Sequence, residues 1–171
     1  MDNTITVNME NLTKQEREQL ISLIEKSNEL SEPNPKKRWR AKREEGYYFI
    51  DMNLDVRYDV DTYLKVDNEQ YKVGNYFKTK KEAEFEREKR LVYQELKDYA
   101  IEHNEGKINF YNQEQDKFYI YYRSNENRLV ISYTNTWYDM LGVYFTSKEI
   151  ARNAINTIGE QRIKKYLFGV E

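Results

Sequence analysis

The sequence predicts an α+β protein: two tandem repeats of a small antiparallel sheet followed by a helix, preceded by an N-terminal helix. Three observations carry that prediction. The first is an internal duplication. Gly74-Asn75-Tyr76-Phe77-Lys78-Thr79-Lys80-Lys81-Glu82-Ala83 recurs 68 residues later as Gly142-Val143-Tyr144-Phe145-Thr146-Ser147-Lys148-Glu149-Ile150-Ala151. Trp39 and Tyr47-Tyr48-Phe49-Ile50 recur 71 residues later as Phe110 and Phe118-Tyr119-Ile120-Tyr121. The second is strict alternation in Asp55-Val56-Arg57-Tyr58-Asp59-Val60-Asp61, the period of a half-buried strand. The third is a pair of capping boxes, Thr13…Glu16 and Thr79…Glu82, each opening a helical pattern.

Residues 1–35 read as an amphipathic helix and a Pro-containing linker. Behind the Thr13 cap, Leu20, Ile21, Leu23 and Ile24 form a narrow apolar stripe, and the helix should stop near Asn28, because Pro33 and Pro35 cannot continue it. This segment is acidic, with seven Asp/Glu against three Lys/Arg over residues 1–32. Residues 36–105 form the first repeat. The Trp39 segment, Tyr47–Ile50, residues 55–61 and Tyr71–Phe77 read as strands, with Val56, Tyr58 and Val60 facing inward. Then comes a long helix from about 80 to 103, whose apolar face carries Phe85, Val92, Leu96, Tyr99 and His103. Residues 106–171 form the second repeat. Ile108–Tyr111, Phe118–Tyr122 and Arg128–Thr134 read as strands, with Leu129, Ile131 and Tyr133 alternating inward, and Trp137–Phe145 leads into a helix capped by Ser147. Gly159 breaks that helix before a last amphipathic piece around Ile163, Tyr166 and Leu167. Each repeat therefore reads β-β-β-β-α, a small sheet whose apolar face needs a helix over it.

Composition narrows the function classes. In 171 residues the apolar share is only 39% and the charged share 34%, but aromatics reach 15% with 16 Tyr, so the core is built from rings. A net charge of −2 gives no whole-molecule pull toward nucleic acid. The absence of Cys excludes disulfides, thiolate metal sites and a Cys nucleophile. No apolar stretch has the length of a signal peptide or a membrane span, so a cytoplasmic protein without membrane contact is expected.

Catalysis finds little material. His103, the one His, lies near a helix end without a nucleophile beside it, and nothing resembles a phosphate-binding or dinucleotide loop. Asp55, Asp59 and Asp61 share a strand face, where carboxylates usually keep an edge soluble rather than hold a metal. No enzyme activity, cofactor or metal is expected. Binding has three candidates. Lys36, Lys37, Arg38, Arg40, Lys42 and Arg43 place six positive charges around Trp39, a pattern that can hold phosphates or an acidic protein surface. The second repeat has no such charges, and the alignment of Trp39 with Phe110 gives that ring a core role instead. Tyr48, Tyr119 and Tyr121 lie in strands where alternate rings must face away from the helices, either toward the other repeat or toward a partner. Leu20, Ile21, Leu23 and Ile24 can fold back on the repeats, dock on a host protein, or dock on a second copy to give a homodimer through the N-terminal helix.

Two resemblances add to this. The combination of Leu12-Thr13…Glu16-Arg17-Glu18 with Trp39, Tyr47–Ile50 and Gly74–Thr79 resembles uncharacterised accessory proteins of phages and prophages of Gram-positive hosts. It implies a non-catalytic protein that binds a host protein in the bacterial cytoplasm, among whose kin are inhibitors of nucleic-acid-handling defence systems of the anti-CRISPR or anti-restriction type. More loosely, strands followed by Tyr76-Phe77-Lys78-Thr79-Lys80-Lys81-Glu82-Ala83 are similar to the AP2 DNA-binding domain, which lays a three-stranded sheet in the major groove. That likeness implies Arg38, Trp39, Arg40 and Arg57 as its contact residues. The favoured expectation is host-protein binding. The alternatives are nucleic-acid binding through the basic strand of the first repeat, and a structural or assembly role through self-association.

Overall fold

A computed structural model of the chain describes residues 12–30, 38–135 and 142–170. The expected linker prolines, Lys36, Lys37 and Trp137 lie outside the described residues. The chain divides into two compact units, Met1–Trp39 and Arg40–Glu171.

The first unit contains helix α1 (Lys14–Leu30). Its capping box forms as the sequence predicts: the Glu16 carboxylate accepts from the Thr13 N–H at 2.8 Å and the Thr13 hydroxyl accepts from the Glu16 N–H at 3.4 Å. The helix runs two residues past the expected stop, an ordinary end effect.

The second unit is α+β, with two two-stranded antiparallel sheets each followed by helices. Strands β1 (Gly46–Ile50) and β2 (Val56–Val60) pair with Tyr48 opposite Tyr58. Helices α2 (Lys65–Lys72) and α3 (Lys80–His103) follow. Strands β3 (Lys117–Arg123) and β4 (Arg128–Thr134) pair with Ile120 opposite Ile131, and α4 (Lys148–Ile158) and α5 (Glu160–Phe168) close the chain. Thr79 and Ser147 cap α3 and α4 by accepting the N–H three residues on, at 3.2 Å in each case. Gly159, at φ 100°, holds a backbone conformation that a side chain would strain, and there the chain turns from α4 into α5.

The main core lies between α3, α4, α5 and the β3–β4 sheet. Val92, Leu96 and Ala100 meet Ala151, Ala154, Ile158 and Ile163 around Phe145, with Phe118, Ile120, Leu129 and Ile131 packed against them. Each buried Val, Leu, Ile or Phe contributes roughly 1.5–3 kcal/mol. Helix α3 also packs on β1 and β2, while α4 and α5 cover the β3–β4 sheet.

Several expectations are corrected. Among the described residues each repeat has two strands, not the four expected, plus one bridging residue: Phe77 pairs with Tyr48 and Phe145 with Phe118. The expected strand Tyr71–Phe77 is reduced to the bridge at Phe77: its first two residues end helix α2, whose start is capped by Asp67 reaching back to the Leu64 N–H at 3.1 Å. Arg38–Lys42 is irregular, so the basic segment is not a strand. Ile108–Tyr111 is likewise not a strand: the Asn109 and Gln115 side chains take the backbone N–H groups of Tyr111 and Asn109. Tyr58 and Tyr133 are not buried; both are more exposed than covered. The two bridges relate the strands at an offset of 70, from Tyr48 to Phe118, rather than 71. A shift of one residue exchanges the faces of a strand, so Tyr47 corresponds to Lys117 and not to Phe118.

Candidate protein-binding surface

The first repeat is organised by two fully buried carboxylates. Asp61 Oδ2 accepts from Arg40 Nε at 2.8 Å and from the Tyr76 hydroxyl at 2.7 Å, while its Oδ1 accepts from the Tyr63 N–H at 2.8 Å. Asp67 Oδ1 accepts from the Tyr47 hydroxyl at 2.9 Å, and its Oδ2 accepts from the Thr62 N–H and hydroxyl, both at 3.0 Å. The Tyr47 and Tyr76 rings stack at 4.0 Å and tie the two carboxylates together. Burial would raise the Asp61 carboxyl, but the Arg40 guanidinium, the Tyr76 hydroxyl and the Tyr63 N–H outweigh it and hold it below the ordinary carboxylate value. Burial, and then the adjoining carboxylate, push both tyrosines well above theirs, so they stay neutral donors.

This network fixes the loop between β2 and α2 in a costly conformation. Tyr63 sits at φ 60°, a region that bulky residues rarely occupy at a cost of about 1–3 kcal/mol. It is held by Asp61 at its N–H, by the Asn68 amide donating to its carbonyl at 3.1 Å, and by the Arg40 guanidinium 4.7 Å over its ring. The result is display: Tyr63, Leu64 and Val66 all project into solvent, Leu64 with 64% of its surface exposed. A second display lies at the β1–β2 turn. Leu54 also has positive φ, at 65°, and neighbouring Met52 is 96% exposed. The Asp51 carboxylate shapes this turn by accepting from the Asn53 and Asp55 N–H groups, each at 2.9 Å.

The predicted site residues fall as follows. Arg38, Lys42 and Arg43 are exposed, but Arg40 is committed to Asp61. Asp61 therefore leaves the solvent-facing row expected of Asp55, Asp59 and Asp61. Arg57 is engaged by Asp51 and Asp55 at 2.9 and 3.0 Å. On α1, Leu20 and Ile21 are half-buried and Leu23 and Ile24 exposed. Tyr48, Tyr119 and Tyr121 are half-buried: Tyr48 lies edge-on to Tyr58 at 5.3 Å, Tyr119 packs near Tyr144, and the Tyr121 hydroxyl accepts from Arg123 at 2.8 Å. His103 is exposed at the end of α3, stacked on Tyr99 and donating from Nδ1 to the Tyr99 carbonyl at 3.0 Å. Tyr63, Leu64 and Met52 were not singled out from sequence. The only signal there was apolar residues standing among turn-forming ones. Among the described residues, no group of three or more His, Asp or Glu could hold a metal ion, and no helix is long and apolar enough to cross a membrane.

No protein-family model, curated protein or solved structure matches this chain.

Proposed function

We propose that the protein is a non-catalytic binding module that acts by occupying a surface of another protein. The supporting observation is the Asp61–Val66 loop. A bulky residue is kept in a strained backbone conformation by buried polar groups, and the residues it displays are apolar and exposed. Such preorganisation lowers the ordering cost of association, and Tyr63 and Leu64 have the character of interface anchors. Through the resemblance to phage accessory proteins, the partner is a host protein, a component of a nucleic-acid-handling defence system being the first choice. Direct nucleic-acid binding through the basic segment has less support, because Arg40 is neutralised by Asp61, and Asp59 stands exposed on β2 with Asp55 exposed just before it.

The test is a pull-down with the tagged full chain from a Gram-positive host lysate, with and without nuclease. The expected result is one stoichiometric protein that survives nuclease and is lost with Leu64→Asp. Affinity for that protein should fall by about 30-fold or more, as for a central interface residue. Recovery that depends on intact nucleic acid would overturn the proposal and make Lys42 and Arg43 the residues to replace.

A further inference from the structure

The two sheets treat their outer edges differently. In an antiparallel strand, successive residues point their N–H and C=O groups to opposite sides. Phe118 exchanges both of its groups with Phe145, at 2.9 and 2.8 Å, so it points away from β4. The register then makes Tyr119–Ser132 and Tyr121–Val130 the hydrogen-bonded pairs of the β3–β4 ladder. Leu129, Ile131 and Tyr133 therefore direct their N–H and C=O groups outward, along the free side of β4. Among the described residues none of these groups has a partner.

The same reasoning from the Tyr48–Phe77 bridge turns Val56, Tyr58 and Val60 outward on β2. That edge is guarded. Asp59 accepts from the Val60 N–H at 2.8 Å, and two of the five residues of β2 are charged. Strand β4 is longer, Arg-Leu-Val-Ile-Ser-Tyr-Thr, and its one charge lies at its first residue. It has neither Pro nor a bulge, and Tyr133 is 58% exposed. Proteins seldom leave such an edge open.

We propose that β4 pairs antiparallel with β4 of a second copy, about a two-fold axis at Ile131, making one four-stranded sheet from two chains. The strand is complementary to itself in that register. Ile131 faces its own copy, Leu129 faces Tyr133, Val130 faces Ser132, and Arg128 faces Thr134, so no like charges oppose. The outward groups of Leu129, Ile131 and Tyr133 are those that an isologous ladder consumes. The apolar row Leu129-Ile131-Tyr133, whose first two members already pack on the core, continues across the axis. This surface is distinct from the α1 stripe and from the Tyr63 loop.

Sedimentation equilibrium on the full chain, over about 1–500 µM, reads the association directly. The expected result is a reversible dimer. The amides of Leu129, Ile131 and Tyr133 should exchange more slowly as concentration rises, while that of Tyr58 on the β2 edge does not change. The variant V130K/S132K sets lysine against lysine twice and should weaken the dimer about tenfold or more. An equimolar mixture with V130E/S132E should restore a heterodimer, which chains that had failed to fold could not form. A monomer throughout the range, a dimer indifferent to these charges, or a mixture that restores nothing would each overturn the proposal.

Discussion

The two repeats share a frame and fill it with opposite chemistry. Tyr48–Phe77 and Phe118–Phe145 are equivalent bridges, and Tyr76 and Tyr144 are equivalent buried rings. At the offset of 70 set by the bridges, the buried Tyr47 corresponds to the buried Lys117. Carried back along the chain, Arg40 corresponds to Phe110. The first repeat thus has a cation at the earlier position and an aromatic ring at the later; the second has the ring first and the cation second. Arg40 needs Asp61 because its charge is drawn in among rings. Lys117 instead sends Nζ to the carbonyls of Asn112 and Gln115, at 2.8 and 2.9 Å, with Phe110 5.8 Å away. A duplicated frame therefore conserves backbone pairing and aromatic volume while leaving the placement of charge free. The acidic network and the strained loop it supports belong to the first repeat.

The largest break in this comparison should come from Asp61→Ala. It strands the Arg40 guanidinium, the Tyr76 hydroxyl and the Tyr63 N–H together, and removal of one partner from such a buried pair costs about 3–5 kcal/mol. Denaturant melts would measure it. The equivalent disturbance of the second repeat, Lys117→Met, removes a buried cation whose acceptors belong to an exposed loop that water can reach. It should cost no more than about 1–1.5 kcal/mol. Equal losses in the two variants would remove the distinction between the repeats.

Next in size is Asn75→Ala. The Asn75 side chain acts as a missing strand, accepting from the Ile50 N–H at 3.0 Å and donating to the Ile50 carbonyl at 2.7 Å. Its counterpart is Val143, which can do neither and instead lines an apolar groove of about 290 Å³ with Tyr93, Ile120 and Leu167. Losing both bonds at a buried site should cost roughly 2–3 kcal/mol. Asn75→Val, which imitates the second repeat, should cost a similar amount, because the backbone of Ile50 is what goes unsatisfied.

Acid should act on the first repeat through Asp61. The Asp61 carboxyl has a lowered value in the folded chain, so it binds protons more weakly than in the unfolded chain. Its contribution is complete above the ordinary carboxylate value of about 3.9 and is lost as pH falls through the lower folded value. The advantage of wild type over Asp61→Asn in denaturant melts should therefore be constant near neutrality and shrink below about pH 4. Other carboxylates with lowered values, Asp51 and Glu126 among them, titrate in both proteins and cancel from the difference. A difference that grows toward acid would contradict the assignment of Asp61 as the ionised partner.

What was legible in the sequence was what local rules write. The caps Thr13, Thr79 and Ser147, the break at Gly159, the span of α3 and the strand Arg128–Thr134 follow from side chains that act within four residues of themselves. Helix α2 was missed because its signal, Asp67 capping Leu64, is disguised by a carboxylate that also serves Tyr47 twenty residues away. Asp61 was misplaced for the same reason. Alternation put it in a polar row with Asp55 and Asp59, and only the return of Arg40 and Tyr76 buries it. The Tyr63 display could not be read at all, since a positive φ on a bulky residue is imposed by distant partners and not by its own preference.

The smallest effect concerns an exposed ring. Tyr58 was expected in the core and is 61% exposed, yet it lies directly over Gly46: a Cβ at that glycine would stand 2.0 Å from the Tyr58 hydroxyl oxygen. The ring covers a strand glycine from the neighbouring strand, a pairing that compensates the missing side chain. In Gly46→Ala the ring must swing away, and its exposure leaves room for that, so the net loss should be under about 1 kcal/mol. With Tyr58→Ala already in place, Gly46→Ala should become neutral or stabilising, since the alanine then meets no ring and restricts the unfolded chain. A thermal double-mutant cycle measures the coupling. If Gly46→Ala costs the same with and without Tyr58, the ring is a surface ornament, and the edge of the first sheet is held by Asp59 and Arg57 alone.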